Sequence, residues 1–224
     1  MKNSIECNTK TEIEKISIAY LIAKQAVIEN GYEYEIDWQI STKYSQLTET
    51  IFLQEAAWVI LSAGMRERVI RSVFPYISSA FFDWTSASII TSNGHNCRAN
   101  ALIKFRHEKK IDAIIEIASH VAERSFDFVY DSIQHKGIQY LSNFPFLGPA
   151  TSCHLAKNLG IPIAKPDRHL IRIANVFGYT NVQDLCIRIA EYVGDEVAEI
   201  DLVLWRYATL DKNYLNTLKQ NSIL

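Results

Sequence analysis

Two short segments in the second half of the chain contain the residues best suited to chemistry. The first, Phe144-Pro-Phe-Leu-Gly-Pro-Ala-Thr151, is predicted to form a tight turn between two helices, and its backbone N–H groups can bind a phosphate. The second, Lys165-Pro-Asp-Arg-His169, places Asp167 just before the next predicted helix. The first segment therefore offers amide donors, and the second offers a fixed negative charge. The alternative for Asp167 is a purely structural helix N-cap, worth about 1 kcal/mol.

The elements that must position these residues are predicted to be helices throughout. Glycine and proline are scarce, at 8 and 5 residues, and apolar residues recur at helical spacing. A first apolar stripe, which ends before Gly31, consists of Ile13, Ile16, Ala19, Tyr20, Ala23 and Val27. Further helices are predicted near residues 48–62, 67–77, 86–91, 98–105, 110–126, 128–132, 168–177, 182–193 and 196–209. The segment Tyr32–Gln39 alternates and is predicted to be a loop or a brief extended piece. The predicted fold class is all-α.

The turn of the first segment belongs to a hairpin unit that covers about residues 137–159. Pro149 suits the first turn of a helix, where its missing N–H is no loss. Gly160 suits the end of that helix, and Leu155 and Leu159 share a face that can pack on the preceding helix. An ordinary helical hairpin without a ligand would have the same features, so this alternative stays open.

Composition and charge limit the possible classes. A net charge of −2 argues against a protein that coats nucleic acid, although it allows a DNA enzyme with local positive charge. The polar N-terminus does not resemble a signal peptide, and no run of 18 apolar residues exists, so a membrane partner is not expected. Scattered cysteines without a CxxC pair argue against a zinc or iron–sulfur site and suit a cytoplasmic location; they are Cys7, Cys97, Cys153 and Cys186.

Basic side chains form three local groups along the chain. One surrounds Asp167 and contains Lys165, Arg168, His169 and Arg172. The second contains Arg66, Arg68 and Arg71. The third is predicted to be a solvated helix face and contains Lys104, Arg106, Lys109 and Lys110.

Several motifs, in order, resemble the helix-hairpin-helix DNA glycosylase superfamily, and in particular its endonuclease III branch. Ile60-Leu-Ser-Ala-Gly64 is similar to the Leu-Leu-Ser-Ala-Gln segment of that branch, and Gly94-His-Asn-Cys-Arg-Ala99 to its Gly-Leu-Tyr-Asn-x-Lys-Ala turn. Leu147 and Gly148 match the family hairpin, but Phe146 stands where the family usually has the first hairpin glycine. Val203-Leu-Trp-Arg-Tyr207 lies where the branch has its late helix. The resemblance covers about residues 48–210.

This resemblance implies a two-lobed fold with a DNA cleft between the lobes. Residues 48–164 would form a helical barrel-like domain that contains the hairpin, and residues 1–47 with 165–224 would form the second. The implied partner is double-stranded DNA with a damaged or modified base, bound by a monomer. No cofactor or catalytic metal is expected, although a structural monovalent cation at the hairpin is compatible with the family. The iron–sulfur cysteines of the endonuclease III branch are absent.

The implied activity is extrusion of one base and hydrolysis of its N-glycosidic bond, with Asp167 stabilising the positive charge on the sugar. Such stabilisation in a cleft of low dielectric can be worth a factor of about 10²–10³ in rate. Ala150 occupies the position where bifunctional members carry a Schiff-base lysine, so the resemblance implies a monofunctional glycosylase that leaves an abasic site. Lys165 is the alternative source of weak lyase activity.

The resemblance assigns the other site residues to three groups. Backbone phosphate contacts are expected from Leu147, Gly148, Ala150, Thr151, Arg168 and His169. His95 and Asn96, on the predicted turn before a helix, are expected to enter the gap left by the extruded base. The base pocket is expected to contain Ala150 and His154, and the aromatic residues Trp58 and Tyr44 are further candidates by residue type alone. His154 is equally compatible with a helix surface, and aromatic residues at helical spacing are more often part of a core.

Two biological roles fit such an enzyme, base excision repair and antiviral defence against phage DNA with modified bases. A different class of function also fits the hairpin, namely a DNA-binding module that has lost its chemistry. Retention of Asp167 after the hairpin speaks against this alternative. A helical scaffold with no DNA role is the third possibility.

Overall fold

The computed structural model of the protein describes residues 3–222, with side chains described from residue 12 onward. Within these residues the chain is all-α and contains no strand. Two short 3-10 helices cover Tyr44–Gln46 and Phe82–Trp84. The α-helices are α1 Asn3–Glu29, α2 Glu33–Ser41, α3 Glu49–Ser62, α4 Glu67–Ala80, α5 Ala87–Ser92, α6 Gly94–Lys104, α7 Glu108–Arg124, α8 Phe126–Lys136, α9 Ile138–Leu141, α10 Pro149–Asn158, α11 Arg168–Val176, α12 Val182–Val193, α13 Val197–Leu210 and α14 Tyr214–Asn221.

The chain divides into two compact units. The first consists of residues 1–42 and 160–224, and the second of residues 43–159. These limits lie five residues before the domain limits of 47/48 and 164/165 that the resemblance implies. The hairpin belongs to the second unit, and Asp167 belongs to the first.

The first unit is built around α1 and α13, which pack against each other. The predicted apolar stripe of α1 is confirmed, because all six of its residues are buried, and Gly31 follows the helix in a left-handed conformation at φ +84°. Polar contacts join α1 to the segment just before α13. Asp195 accepts hydrogen bonds from Tyr20 Oη at 2.6 Å and from Lys24 Nζ at 2.7 Å.

The prediction of a loop or extended piece at Tyr32–Gln39 is wrong, because α2 covers most of this segment. Three residues of α2 are buried, at spacings of one and three: Glu35, Ile36 and Gln39. Two of the three are polar, so the inward face of the helix does not show as an apolar stripe. The buried carboxylate of Glu35 pairs with Arg206 of α13, a partner that local patterning does not reveal.

In the second unit, α3 packs on α4, α7 and α10, and α10 also packs on α9. The prediction that Leu155 and Leu159 face the preceding helix agrees with their burial. The assignment of Lys110 to a solvated face is wrong. Its side chain is buried, and Nζ donates to the carbonyl oxygens of Leu61 at 2.8 Å and Ala63 at 2.6 Å, which lie at the C-terminal end of α3. Lys110 therefore caps one helix from the first turn of another.

Most remaining helix bounds agree with the sequence within a few residues. The exceptions are α14, which was not predicted, α8, which ends four residues after its predicted end, and α6. Helix α6 begins at Gly94, four residues before the predicted start, so His95 and Asn96 lie in its first turn and not on a turn between helices. Both residues are exposed. Across the part of the chain that the structure describes, no helix is long and apolar enough to cross a membrane.

Candidate nucleic-acid interface

The hairpin loop before α10 is closed from the inside by two hydroxyl groups. Thr151 Oγ1 donates to the carbonyl oxygens of Phe146 at 2.9 Å and Gly148 at 3.1 Å. Ser152 Oγ donates to the carbonyl oxygen of Leu147 at 2.9 Å. The loop carbonyls are thus satisfied within the protein. The Thr-Ser pair is the local signal for this closure.

The amides of the same loop are less occupied. Pro149 is the first residue of α10 and has no N–H, and Leu147 N–H donates to the carbonyl of Phe144 at 3.2 Å. Among residues 3–222, no hydrogen-bond acceptor is recorded for the amides of Gly148, Ala150 and Thr151. Such amides at a helix N-terminus are suited to an anion. The structure leaves these three of the predicted amide donors available, whereas that of Leu147 is used and its side chain is buried.

Gly148 is not required by the conformation or the packing of the free protein. Its φ of −74° and ψ of −175° are accessible to any residue. A Cβ atom at this position would meet only Thr151 Oγ1, at 4.0 Å, which is ordinary van der Waals contact. A glycine in such a position is typical of a backbone that a ligand approaches closely.

A basic segment lies beside this loop. The sequence showed the basic residues but did not indicate that they lie near the hairpin. The ring of His107, just before α7, packs edge-on against Phe146, with ring centroids 6.0 Å apart and an interplanar angle of 79°. Three cations near His107 are exposed: Lys104, Arg106 and Lys109. The hairpin and this segment therefore present amides and positive charge on one part of the second unit.

Asp167 lies at the end of an irregular segment, residues 161–167, that side chains of the first unit hold in place. The carboxylate of Asp201, which is buried, accepts from Lys165 N–H at 2.8 Å. Gln183 Oε1 accepts from Ala164 N–H at 2.7 Å. These bonds fix the backbone immediately before the aspartate.

The carboxylate of Asp167 is itself fixed on one side only. Oδ1 accepts from the backbone N–H groups of His169 at 2.8 Å and Leu170 at 3.0 Å. The N-cap interpretation is therefore confirmed. The side chain is half-buried, and no donor to Oδ2 is recorded among the residues that the structure describes. Asp167 thus has a fixed orientation and one oxygen that remains available, which is compatible with a chemical role in addition to capping.

His169 and Arg168 differ in their availability. His169 Nδ1 lies 3.2 Å from Tyr214 Oη, and Arg168 Nε donates to His169 Nε2 at 3.3 Å. Burial lowers the pKa of His169, Arg168 and Arg172 lower it further, and Asp167 opposes these effects. The ring therefore favours its neutral form and is held by protein partners. The exposed guanidinium of Arg168 is the better placed of the two for a phosphate.

The residues predicted for the base pocket lie on three different elements. Ala150 and His154 are one turn apart on α10, and both are half-buried. Trp58 is on α3, where Phe74 contacts its ring edge-on at 5.1 Å and Arg71 lies 5.6 Å from its centroid. Helices α10 and α3 pack against each other in the second unit.

Tyr44 is held by a different part of the second unit. Its ring stacks on Tyr130 of α8 with centroids 4.8 Å apart, and its hydroxyl donates to the Tyr130 carbonyl at 2.6 Å. Burial raises its pKa. These contacts give Tyr44 a structural role that accounts for its position.

A half-buried glutamate, Glu55, lies between α3 and α10, and sequence patterning missed it. Asn158 Nδ2 donates to Glu55 Oε2 at 2.8 Å. Burial raises the pKa of Glu55 to about 7, and the hydrogen bond from Asn158 acts in the opposite direction. The local signal was a glutamate in the middle of α3, next to apolar residues; the other glutamate of the helix, Glu49, lies in its first turn.

Glu55 predicts a specific pH dependence of stability. The folded-state pKa of Glu55 is raised above the unfolded value of about 4.3, so the folded protein favours the protonated carboxyl group. The contribution of this group to the free energy of unfolding is therefore complete below pH about 4.3 and is lost as the pH rises through about 7. Glu55→Gln is therefore expected to stabilise the protein at pH 8 by up to about 3 kcal/mol, and to have little such advantage at pH 4.5. Urea unfolding of both proteins at the two pH values measures this difference.

The exposed Glu123 of α7 provides a matched control. Glu123→Gln should show no comparable change with pH, since an exposed carboxylate is already well solvated. An effect of Glu55→Gln that is the same at both pH values would show that the carboxyl group does not titrate as described.

A cavity of about 260 Å³ lies between α7 and α9. His120 Nε2 and Tyr140 Oη are 2.8 Å apart at its wall, and Phe144 contacts His120 edge-on. None of the predicted site residues lines it. In the side chains that the structure describes, no group of three or more His, Cys, Asp or Glu residues could hold a metal ion.

Comparisons with protein-family models, with curated proteins and with solved structures find no match for this chain.

Proposed function

We propose that this protein is a monofunctional DNA glycosylase of the helix-hairpin-helix superfamily. The observation that carries the proposal is the carboxylate of Asp167, which two backbone amides fix through Oδ1 while Oδ2 is left without a recorded donor in the described chain. A hairpin with unused amides precedes it in the chain, in the order of the family motifs. We also propose that the all-α chain has the two-lobed helix-hairpin-helix glycosylase fold.

The proposed substrate is double-stranded DNA with one damaged or modified base. The hairpin amides of Gly148, Ala150 and Thr151 bind a backbone phosphate, and the nearby exposed cations add a favourable field. Arg168 contributes a further phosphate contact from the first unit. Such contacts position the strand without reading its sequence.

The proposed chemistry is hydrolysis of the N-glycosidic bond of an extruded nucleotide. The C1′–N bond breaks and its electron pair leaves with the base, so positive charge develops on the sugar. Asp167 stabilises this charge. A water molecule adds to C1′ and loses a proton, the base gains a proton, and an abasic site remains.

Ala150 supports release of the base without strand cleavage. An alanine cannot form an imine with the sugar, so it cannot take the role of the Schiff-base lysine. Lys165 is the remaining source of residual lyase activity near Asp167. The small side chain of Ala150 also leaves space for a large or modified base in the proposed pocket.

A structural cation at the hairpin is not needed for this proposal. The carbonyl oxygens of Phe146, Leu147 and Gly148 would be its ligands, but all three already accept hydrogen bonds from Thr151 or Ser152. The hydroxyl groups therefore already fix the loop in the free protein. The proposal places the protein in the cytoplasm, where its scattered thiols remain reduced, and as a monomer.

The direct test is to incubate the protein with genomic DNAs, including phage DNAs with modified bases, and to identify any released base by mass spectrometry. Release of a damage product would indicate repair, and release of a phage-specific base would indicate antiviral defence. Alkali treatment should convert the product to strand breaks, and breaks without alkali should be few. The absence of base release from every DNA would contradict the proposed enzyme.

A non-catalytic DNA-binding protein is the second candidate. The observation that favours it is the N-cap role of Asp167, since capping explains the residue without any chemistry. Such a protein would bind DNA in a salt-dependent manner and release no base. A protein without salt-dependent DNA binding would be neither an enzyme of this class nor a DNA-binding module.

One prediction tests the hairpin independently of catalysis. Gly148→Ala should leave the melting temperature almost unchanged, because the added Cβ has ordinary contacts and an accessible backbone conformation. It should weaken DNA binding by about tenfold, because a methyl group would stand between the loop amides and a phosphate, and a hydrogen bond to a charged group is worth about 1.5–3 kcal/mol. Fluorescence anisotropy with duplex DNA measures the affinity. Equal affinity of the two proteins would place the bound phosphate elsewhere.

A further inference from the structure

Phe146 has an unfavourable backbone conformation for its residue type. Its φ is +62°, in the left-handed region where L side chains are disfavoured and glycine is preferred. The resemblance places a glycine at this position. Because glycine would remove the strain, the presence of a large aromatic residue here points to a use for the ring itself.

Packing within the protein does not account for the whole ring. Phe146 is 39% exposed, and its recorded ring contact is with His107. That contact is edge-on and supports the ring from one side. The hydrogen bond from Thr151 Oγ1 to the Phe146 carbonyl fixes the backbone that carries the ring. An exposed aromatic ring is thus held in a set orientation at the tip of the loop.

The surroundings of this ring match those of a nucleic-acid groove. The amides of Gly148 and Ala150 lie two and four residues after it in the chain, and the exposed Arg106 adjoins His107. Aromatic rings beside a positively charged track of phosphate ligands are the usual platforms for unstacked bases. The combination favours a nucleotide over a peptide or an apolar partner, because a nucleotide carries a phosphate and a flat base close together.

We propose that Phe146 is a stacking platform for an unstacked nucleotide next to the phosphate held by the hairpin. This inference rests on the proposed function and deepens it, since it assigns the hairpin tip a preference for distorted or unpaired DNA over regular duplex. The stacked base need not be the one that is released. Phe146 is therefore a binding residue that contributes to substrate preference.

Three variants test the proposal by fluorescence anisotropy, with an intact duplex and a duplex that contains a three-nucleotide unpaired loop. Phe146→Gly should melt at the same or a higher temperature, because it removes the left-handed strain, yet bind the looped DNA about tenfold more weakly. Phe146→Tyr should keep the wild-type affinity. Phe146→Leu keeps the strain and an apolar side chain but lacks an aromatic face, and it should lose affinity as the glycine variant does. Binding to the intact duplex should change less in all three.

Wild-type affinity of Phe146→Leu or Phe146→Gly for the looped DNA would overturn the stacking role. If these variants nevertheless depend on Asp167 for base release as the wild type does, the proposed function would stand without this inference. A wild-type protein that binds neither DNA would overturn both.

Discussion

Asp167→Asn is expected to reduce the rate of base release by about 10²–10³ while the affinity for DNA stays near that of the wild type. Asparagine has almost the same shape as aspartate and is an equally good N-cap. Its side-chain oxygen can accept the bonds from His169 and Leu170 that Asp167 Oδ1 accepts. The substitution therefore removes the negative charge and leaves the helix cap in place.

The measurement is single-turnover release of the base from whichever DNA proves to be a substrate, with excess protein so that binding does not limit the rate. Asp184→Asn is a suitable control, because Asp184 is an exposed aspartate of α12 in the same unit. It should release the base at the wild-type rate. Asp167→Ala should be slow in release and also less stable, since it removes both the charge and the cap, by about 1 kcal/mol for the latter. Release by Asp167→Asn at the wild-type rate would limit Asp167 to its structural role.

Glu35→Gln is expected to destabilise the protein by about 3–5 kcal/mol, the usual effect of removing one partner of a buried ion pair. Arg206 Nε donates to Glu35 Oε2 at 2.8 Å and Arg206 Nη2 to Oε1 at 2.6 Å, a two-pronged contact between side chains that are 8% and 9% exposed. The guanidinium also lies between two rings, 4.3 Å from the centroid of Tyr32 and 4.7 Å from that of Trp205. A neutral side chain would remove the negative charge that Glu35 places against this buried cation.

Urea unfolding followed by circular dichroism measures the loss. The double variant Glu35→Leu/Arg206→Met provides the control, because replacing both charges by apolar groups avoids an uncompensated buried charge. It should recover much of the stability that the single variant loses. A single variant as stable as the wild type would show that water reaches Arg206, and the pair would then be worth no more than a surface ion pair.

The features of the fold that were predicted correctly depend on neighbours along the chain. The stripe of α1, the helix at Glu49–Ser62 and the start of α10 at Pro149 all follow from apolar spacing or from residues that suit a helix end. The prediction for α2 was wrong because the inward face of this helix is largely polar. Its buried Glu35 pairs with Arg206, which is 171 residues away in the chain. Periodicity cannot identify a buried face whose burial depends on a distant charge.

The candidate site shows the same division. Pro149 in the first turn of α10 and Asp167 as an N-cap were predicted because their roles at helix ends are local. The cap that Lys110 provides for α3, the contact of His107 with Phe146 and the pair of Glu55 with Asn158 connect elements far apart in sequence. Tyr44 was assigned to the pocket by residue type alone, and the structure engages it with Tyr130.

The hydroxyl groups of Thr151 and Ser152 have a consequence for the kinetics of binding. Because they already shape the loop in the free protein, little conformational entropy would be lost when the proposed phosphate binds. Association should then be governed by diffusion and charge, so that its rate constant falls steeply with ionic strength while the loop keeps one shape throughout. Thr151→Val lacks the hydroxyl donor that shapes the loop. Its association rate constant for DNA, measured by stopped-flow fluorescence, should be lower than that of the wild type at every salt concentration.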